Sequence, residues 1–261
     1  MLDKIVIIGY KIGMNKGFII DLEGTLVSNG APLEGSIKFI DYLNKEGIKY
    51  YILTNTVSKT NENWELILNN IGLNIEKDQI ITPIIVLNEF INENDIKTYY
   101  FIGPDSIKEL IQKTMDYDIP EFVIFCDFEY IDAKYELFNK IYYYINNGSK
   151  MITTSYSNYY ISNNQYKMDT GIFVKMYETL TNEKALILGK PSKMIYEIAL
   201  KKLGIDKKNI VVIGDDGLTD INGGKEMGFE TIMVKTGKYK NGDESKYKPN
   251  KIIKNIGELI E

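Results

Sequence analysis

Two acidic residues, Asp21 and Glu23, follow directly after a short apolar run in the sequence GFIIDLEGTL. The run Phe18–Ile20 predicts a strand buried on both faces, because it is continuous and bounded by glycines. Gly24 then predicts a sharp turn, so both carboxylates should lie at the carboxyl end of a central strand, where open α/β sheets bind ligands. Two acids so close together are costly unless a cation or phosphate chemistry uses them.

Three further polar signals follow predicted strands later in the chain. They are Thr54–Asn55, Lys190–Pro191 and Gly214–Asp215, the last followed by Asp220. Each signal is weak alone, since a Thr-Asn pair after a strand is usually a turn and Gly-Lys before proline usually precedes a helix. Asp216 is expected to be a loop or helix-capping acid rather than a ligand. The combination, with each member after a strand, is far harder to obtain by chance.

Composition excludes several other chemistries. The 261 residues contain no histidine and one cysteine, Cys126, which excludes Ser-His and Cys-His triads, histidine metal sites, cysteine zinc sites and internal disulfides. The sequence also contains no arginine, so every cationic role falls to lysine. Cys126 follows a strand-like run at 122–125 and is expected to be a buried structural thiol rather than a nucleophile.

Charge and hydropathy indicate an ordinary soluble globular protein. The formal net charge is −5, and no long lysine run is present, so neither nucleic acid nor an anionic membrane is an expected partner. Hydrophobic residues make up 44% and charged residues 26% of the chain. A signal peptide and a membrane-spanning apolar run are both absent from the sequence, which predicts a cytoplasmic location.

The elements that must position these residues alternate between apolar runs and amphipathic stretches, a pattern typical of parallel βαβ units. We predict strands at residues 18–20, 50–53, 98–102, 122–125, 151–153, 186–188, 209–213 and 231–234. We predict helices at residues 35–47, 58–71, 133–145, 170–180, 192–203 and 219–227.

Residues 82–184 are expected to form a second α/β domain inserted into a core made of residues 1–81 and 185–261. Residues 237–250 are expected to form a surface loop. Residues 5–8 are compatible with an extra edge strand, and residues 9–16 with a turn.

The four signals in this order resemble the four motifs of the haloacid dehalogenase-like (HAD) phosphohydrolase superfamily. The long insertion between the second and third motifs, with GDDGLTDINGG as the fourth, resembles class IIA, the branch of NagD-like and 4-nitrophenylphosphatase-like enzymes. The resemblance covers nearly the whole chain after residue 16. It implies a Rossmann-like three-layer α/β core with a parallel sheet, an inserted α/β cap domain and a phosphatase activity, and it leaves the substrate open.

The resemblance also implies catalytic roles for the motif residues. Asp21 would attack phosphorus and form an aspartyl-phosphate, which splits the reaction into two steps. Thr54 would donate its hydroxyl to the transferring phosphoryl group, and Lys190 would supply a fixed positive charge. Thr54, Asn55 and Lys190 are therefore expected to contact the substrate. Mg²⁺ is the expected cofactor, and its expected site consists of Asp21, Glu23 (through its backbone carbonyl), Asp215 and Asp220, the last as an acid that orients water or the lysine.

Glu23 departs from the family pattern, which has an aspartate at this position. In the family, this residue protonates the leaving group and then activates the hydrolytic water. Glutamate reaches one C–C bond further, about 1.5 Å, and a misplacement near 1 Å can cost on the order of 10²-fold in rate. Three hypotheses remain: a fully active site reshaped around Glu23, a slowed second step with a long-lived phosphoenzyme, or lost turnover with retained phosphate or partner binding.

The inserted domain would exclude water and select the leaving group. Residues 153–160 correspond to the specificity loop of relatives, so Asn158 and Tyr159 are candidate substrate-binding residues. Tyr159 and Tyr160 would either stack on a sugar or base or line the core of the cap. Asp169 has the alternative interpretation of a helix N-cap.

The leading hypothesis is a Mg²⁺-dependent phosphatase that acts on a small phosphorylated metabolite, such as a sugar phosphate, a nucleotide or phosphoglycolate. The alternative is a catalytically impaired relative that binds a phosphorylated ligand or a protein partner. A phospho-acceptor signalling domain would share the aspartate and lysine but would not need a hundred-residue cap. Relatives with this cap type often pair through it, which predicts a homodimer.

Overall fold

The structure is a computed structural model that describes residues 15–111, 113–129, 131–163 and 165–260. The strand considered for residues 5–8, and the turn considered for 9–16 up to residue 14, lie outside these residues. In chain order the strands are β1 (Gly17–Ile20), β2 (Val27–Ser28), β3 (Ala31–Pro32), β4 (Tyr50–Leu53), β5 (Ile80–Ile81), β6 (Tyr99–Ile102), β7 (Phe122–Phe125), β8 (Lys150–Thr153), β9 (Tyr159–Ser162), β10 (Gln165–Met168), β11 (Leu186–Ile187), β12 (Ile210–Gly214), β13 (Glu230–Val234) and β14 (Lys251–Ile253). The α-helices are α1 (Ser36–Glu46), α2 (Asn61–Asn70), α3 (Pro83–Glu93), α4 (Asp105–Lys108), α5 (Tyr135–Asn146), α6 (Thr170–Thr181), α7 (Lys193–Leu203), α8 (Asn222–Glu226) and α9 (Asp243–Tyr247).

The chain packs as two compact units. Among the described residues, unit 1 contains 15–54, Asn61–Ile81 and 196–260, and unit 2 contains Asn55–Thr60 and those between Thr82 and Ile195. The functional division into a catalytic core and a cap stays a prediction.

Unit 1 is built on a parallel six-stranded sheet in the order β14-β13-β12-β1-β4-β5. β1 lies between β12 and β4, and Ile19 is in register with Val212 on one side and Tyr51 on the other. All four residues of β1 are buried, as the continuous apolar run predicted for a strand of a parallel sheet. Because the strands are parallel, the residues that follow β1, β4, β12 and β13 all lie at one edge of this sheet.

Unit 2 has its own parallel four-stranded sheet, in the order β11-β8-β7-β6, and a separate antiparallel hairpin of β9 and β10. Its core is aromatic, with the rings of Phe128 and Phe173 stacked at 4.1 Å between centroids. β11 pairs with β8, so it belongs to this sheet, although the sequence assigned residues from 185 onward to the core. The α/β class with parallel sheets is confirmed.

Cys126 is buried directly after β7, and its backbone N–H donates to the carbonyl oxygen of Ile102 at 2.8 Å. Burial raises the pKa of its thiol far above the usual value, and the neighbouring charge of Asp127 adds to this shift. The predicted burial of this thiol is confirmed, and such an environment disfavours the reactive thiolate.

Two predicted segments are organised differently from expectation. The expected surface loop at 237–250 contains α9, and its first residues contact the acidic side chains described below. The expected helix at 219–227 begins as a π-helix at Gly217–Ile221 and becomes α-helical only at α8. In the second segment, the backbone N–H of Asp216 donates to the carboxylate of Asp220, which lies within the π-helix.

None of the described helices is long and apolar enough to cross a membrane.

Candidate active site

Three aspartates meet at the carboxyl edge of the unit 1 sheet. Asp21 follows β1, Asp215 follows β12 and Asp220 lies in the π-helix after it. Each offers a carboxylate oxygen, and these oxygens lie within 4.8 Å of one another. All three residues are buried, so the structure concentrates negative charge where little water can screen it.

Two glycines provide the space for these carboxylates. Gly24 has a φ of +98°, and a Cβ at this position would lie under 3.0 Å from the carboxylate of Asp215. At Gly214, a Cβ would approach the carboxylate of Asp220 equally closely. Real side chains do not tolerate such approaches, so the close packing of the aspartates depends on glycine at both positions.

Two hydrogen bonds hold the carboxylate of Asp215. Its Oδ1 accepts a hydrogen bond from the hydroxyl of Thr25 at 3.3 Å, and its Oδ2 accepts one from the backbone N–H of Lys238 at 2.5 Å. Burial and the adjacent charges of Asp21 and Asp220 nevertheless hold the pKa of Asp215 well above its usual range. A group of oxygen ligands with this charge suits a hard divalent cation.

Asp220 is fixed by the start of its own helix. Its Oδ2 accepts a hydrogen bond from the backbone N–H of Asp216 at 3.1 Å. The hydroxyl of Tyr196 donates to the carbonyl oxygen of Thr219 at 2.9 Å, which anchors the π-helix from the other side. This packing requires Gly223, because a Cβ there would lie 2.5 Å from the Tyr196 ring.

Asp216 caps the helix, as expected, and lies outside the carboxylate cluster. It accepts hydrogen bonds from the backbone N–H groups of Leu218 at 2.8 Å and Thr219 at 3.3 Å. Its carboxylate also pairs with the Lys238 ammonium at 3.2 Å. Burial acts to raise the pKa of Asp216, but Lys238 and the two N–H groups together hold it below the usual value.

Glu23 lies in the turn after β1 with an exposed side chain, and its carboxylate does not belong to the cluster. The turn closes through a hydrogen bond from the Gly24 N–H to the carbonyl oxygen of Val27 at 2.8 Å. The expected metal contact of Glu23 through its backbone carbonyl stays a prediction.

Thr54 follows β4, the strand next to β1, and is buried. Its backbone N–H donates to the carbonyl oxygen of Ile81 at 3.2 Å, which continues the β4–β5 pairing by one residue. The side chain therefore stands on the edge of the sheet that carries Asp21.

Asn55 and Lys190 are brought together within unit 2. The Oδ1 of Asn55 accepts from the backbone N–H of Lys190 at 2.7 Å, and its Nδ2 donates to the carbonyl oxygen of Lys190 at 3.0 Å. The preceding Gly189 packs so closely that a Cβ there would lie under 3.0 Å from the carbonyl oxygen of Thr154. The amide of Asn55 thus holds the backbone of the buried Lys190. The predicted substrate contacts of Asn55 and Lys190 stay predictions.

Asn158 and Tyr159 lie at the start of the β9–β10 hairpin, in a region predicted to be a loop. The Oδ1 of Asn158 accepts from the ammonium of Lys175 at 2.5 Å, and its carbonyl oxygen accepts from the N–H of Asp169 at 3.0 Å. The ring of Tyr159 packs edge-on against Tyr166 across the hairpin at 5.2 Å. A substrate role for these two residues stays a prediction.

Asp169 is the N-cap of α6, which confirms the helix-capping interpretation. Its Oδ1 accepts from the N–H of Thr170 at 2.7 Å, and its Oδ2 accepts from the hydroxyl of Ser155 at 3.1 Å.

Sequence reasoning missed the residues after β13, namely Thr236, Gly237 and Lys238. They lie at the same sheet edge as Asp215, because β13 pairs with β12 in parallel. A signal was present in the sequence: Thr236–Gly237 follows a buried strand, as the other motif residues do.

Comparison with known proteins agrees with this arrangement. Two family models match the chain, the haloacid dehalogenase-like hydrolases at residues 18–115 and the HAD-hydrolase-like family at residues 187–259. The acid sugar phosphatase of Staphylococcus saprophyticus is 26% identical over 85% of this chain and 87% of its own.

Solved structures show the same fold. The 4-nitrophenylphosphatase of Thermotoga maritima is 25% identical with a TM-score of 0.85, covering 95% of this chain and 97% of that one. NagD of E. coli K-12 has a TM-score of 0.81 at 23% identity, covering 93% of this chain and 97% of its own. With the acidic cluster and the four motifs at the ends of strands, these matches show that the chain belongs to the haloacid dehalogenase-like hydrolase superfamily, in its class IIA branch.

Proposed function

We propose that this protein is a Mg²⁺-dependent phosphatase that hydrolyses a small phosphomonoester through an aspartyl-phosphate intermediate. The observation that carries the proposal is the buried cluster of Asp21, Asp215 and Asp220 at the carboxyl edge of the unit 1 sheet. Family membership supports phosphoric monoester hydrolysis, as do relatives that are named as an acid sugar phosphatase and a 4-nitrophenylphosphatase.

The donor set fits Mg²⁺. Three buried carboxylates offer only oxygen atoms. Burial, together with repulsion from Asp21 and Asp220, raises the pKa of Asp215, and a divalent cation would relieve that repulsion. Asp21, Asp215 and Asp220 would hold the ion, together with the backbone carbonyl of Glu23. When bound, it would supply positive charge against the negative charge that develops on the phosphoryl oxygens.

The residues of the chain would carry out the two chemical steps. A carboxylate oxygen of Asp21 attacks phosphorus, the P–O bond to the leaving group breaks, and Glu23 gives its proton to the departing oxygen. In the second step, Glu23 takes a proton from water, the water oxygen attacks phosphorus, and the P–O bond to Asp21 breaks to release phosphate. The Thr54 hydroxyl would donate to a phosphoryl oxygen, and Lys190, with its backbone held by Asn55, would supply a fixed cation.

Unit 2 would act as the cap that selects the leaving group. Asn158 and Tyr159 are the proposed substrate-binding residues of this unit, and a sugar phosphate, a nucleotide or a phosphoglycolate-like ester is the proposed substrate class. The cytoplasmic location and a homodimer formed through the cap also remain proposals, and light scattering of the purified protein tests the second.

The alternative function is phosphate or partner binding without turnover. The exposed carboxylate of Glu23, at a position where the family has aspartate, is the observation that favours it. A protein of this kind would bind a phosphorylated ligand and show no catalytic cycle.

Turnover of 4-nitrophenyl phosphate by the purified protein, with and without Mg²⁺, tests the proposal. We expect Mg²⁺-dependent release of 4-nitrophenol that is lost in Asp21→Asn, a variant of nearly the same shape without the nucleophile. Asp206→Asn is the matched control, since Asp206 caps a short 3₁₀ turn at Lys207–Asn209 and its substitution should leave turnover intact. No turnover by folded protein across sugar phosphates, nucleotides and phosphoglycolate would reject the enzyme and favour the binding alternative.

A further inference from the structure

The segment that follows β13, residues 236–238, packs directly onto the acidic cluster. It belongs to none of the four motifs, and the sequence pattern assigned most of it to a surface loop. Its position follows from topology, because β13 pairs with β12 in parallel and the two strands end at the same edge of the sheet. This segment, called the 236–238 segment below, makes three contacts of different kinds.

The first two contacts fix the carboxylate of Asp215. The backbone N–H of Lys238 donates to its Oδ2 at 2.5 Å, and Gly237 leaves no room for a side chain beside the same oxygen. A Cβ at Gly237 would lie under 3.0 Å from this oxygen and also within 3.0 Å of the α-carbon of Gly24. The oxygen is therefore enclosed by two glycines that come from the ends of two different strands.

The third contact fixes the turn after β1. The hydroxyl of Thr236 donates a hydrogen bond to the carbonyl oxygen of Gly24. Gly24 is the residue after Glu23, and its φ of +98° is a conformation that L side chains rarely adopt. An interaction from outside the turn thus holds the peptide between Gly24 and Thr25.

We infer that the 236–238 segment is a positioning element that sets the affinity of the acidic cluster for its divalent cation. It acts through Asp215, whose carboxylate it orients, and through the Gly24 turn, whose backbone it holds. The inference rests on the proposed function, since it concerns the same cation. Groups that orient metal ligands without touching the metal commonly change affinity by roughly 10–100-fold when they are removed.

Gly237→Ala is the main test, with Gly204→Ala as its matched control. Both glycines have left-handed backbone, with φ of +53° and +64°, so alanine causes similar local strain at each. At Gly204 nothing lies within 4 Å of the new Cβ, whereas at Gly237 the new Cβ meets Asp215. We expect the Mg²⁺ dissociation constant, measured by calorimetry with MgCl₂, to rise about 10–100-fold in Gly237→Ala and to stay unchanged in Gly204→Ala.

Thr236→Val and Thr236→Ser provide a second test that does not depend on the folding of the glycine variant. Valine keeps the shape and loses the hydroxyl, while serine keeps the hydroxyl. We expect weaker Mg²⁺ binding in Thr236→Val and near-normal binding in Thr236→Ser. A purely structural role would lower the melting temperature of Thr236→Val by the same amount with and without MgCl₂.

The outcomes separate this inference from the proposed function. The inference would be overturned if Gly237→Ala bound Mg²⁺ as tightly as Gly204→Ala, and Thr236→Val bound it as tightly as the unmodified protein. The proposed cation site would still stand in that case, provided that the unmodified protein binds Mg²⁺ and Asp215→Asn does not. If the unmodified protein gave no Mg²⁺ binding at all, the proposed cofactor itself would fail. Weaker binding confined to Gly237→Ala and Thr236→Val supports the positioning role.

Discussion

At the scale of single residues, glycines and backbone N–H groups pack around the carboxylates of the acidic cluster. Gly24, Gly214 and Gly237 make room for the carboxylates, and backbone N–H groups of Asp216 and Lys238 donate to them. The Lys238 ammonium pairs with Asp216, which lies outside the cluster. Three carboxylates can therefore lie close together, which is the arrangement that a cation site requires.

Glu23 is the residue on which turnover depends most directly. If the site is built around glutamate, Glu23→Gln removes proton transfer and should lower kcat by roughly 10²–10⁴-fold, with a smaller change in KM. Glu23→Asp shortens the reach by about 1.5 Å and should also lower kcat. Steady-state kinetics with 4-nitrophenyl phosphate and Mg²⁺ measures both effects.

Faster turnover in Glu23→Asp than in the unmodified protein would contradict a site adapted to glutamate. Acid-labile phosphate that persists on the unmodified protein after substrate is removed would instead indicate a slowed second step.

A second residue-scale prediction concerns Asp127, which follows Cys126 at the end of β7. Burial raises the pKa of Asp127 to about 6, and the charges of Asp169 and Glu129 add to the shift. A carboxyl whose folded pKa lies above its unfolded value destabilises the fold once it ionises, so stability falls as the pH rises from about 4 to about 6. Asp127→Asn should therefore raise the free energy of unfolding by roughly 1–2 kcal/mol at pH 8, a figure reduced for partial exposure.

Urea denaturation of Asp127→Asn at pH 4 and pH 8 checks the sign, since no gain is expected at pH 4. Asp206→Asn is the control: backbone and side-chain hydrogen bonds from Lys208 lower the pKa of Asp206, so its loss should give no gain at pH 8. An equal gain for Asp127→Asn at both pH values would contradict the electrostatic explanation.

At the scale of elements, strand ends and the turns after them position the chemistry. β1, β4, β12 and β13 bring their following residues to one edge of unit 1, while in unit 2 the turn after β11 is tied to the segment after β4 by Asn55. Two hydrogen bonds from one amide fix both sides of the Lys190 backbone. Asn55 thus acts as a brace between segments that are far apart in sequence.

Loss of the Asn55 amide should lower catalysis more than loss of a similarly hydrogen-bonded amide elsewhere in the protein. Asn55→Ala removes both hydrogen bonds to the Lys190 backbone, and the displaced lysine should lower kcat by about 10²-fold. Asn44→Ala is the matched control, because the Asn44 amide also makes two bonds, with the Asn74 carbonyl oxygen and the Tyr50 hydroxyl. We expect the control to lose stability and keep its kcat.

The kinetics of the two variants, compared with their melting temperatures, separate positioning from general destabilisation. Equal loss of kcat in Asn55→Ala and Asn44→Ala would show that the brace has no specific role.

At the scale of the whole molecule, a cation that binds only the folded cluster must stabilise the fold. At a Mg²⁺ concentration of 100 times its dissociation constant, the gain is about 2.7 kcal/mol, which corresponds to a melting temperature higher by roughly 5–10 °C for a chain of this size. Thermal unfolding in MgCl₂ and in EDTA measures this difference, with KCl at equal ionic strength as the control. In Asp215→Asn, the rise in melting temperature with MgCl₂ should disappear. Equal melting temperatures of the unmodified protein in MgCl₂ and EDTA would contradict the proposed site.

Much of this molecule is determined by local sequence patterns. The run Phe18–Ile20 forms a buried strand because its side chains are apolar on both faces. Gly24 forms the turn after it, because glycine adopts a positive φ without steric cost. The absence of histidine and arginine limits the chemistry to carboxylates, hydroxyls and lysines. Motif order then gave the family, the parallel α/β fold and the three acids.

Only the tertiary structure decided how distant segments meet. The bonds from Asn55 to the Lys190 backbone, and the contacts of Gly237 and Lys238 with Asp215, depend on strand order and register. Local periodicity carries no information about which strand ends become neighbours, because hydrogen bonding between strands is set by the packing of the whole sheet. For the same reason, the sequence indicated the candidate catalytic residues, and only the fold showed which other residues contact and position them.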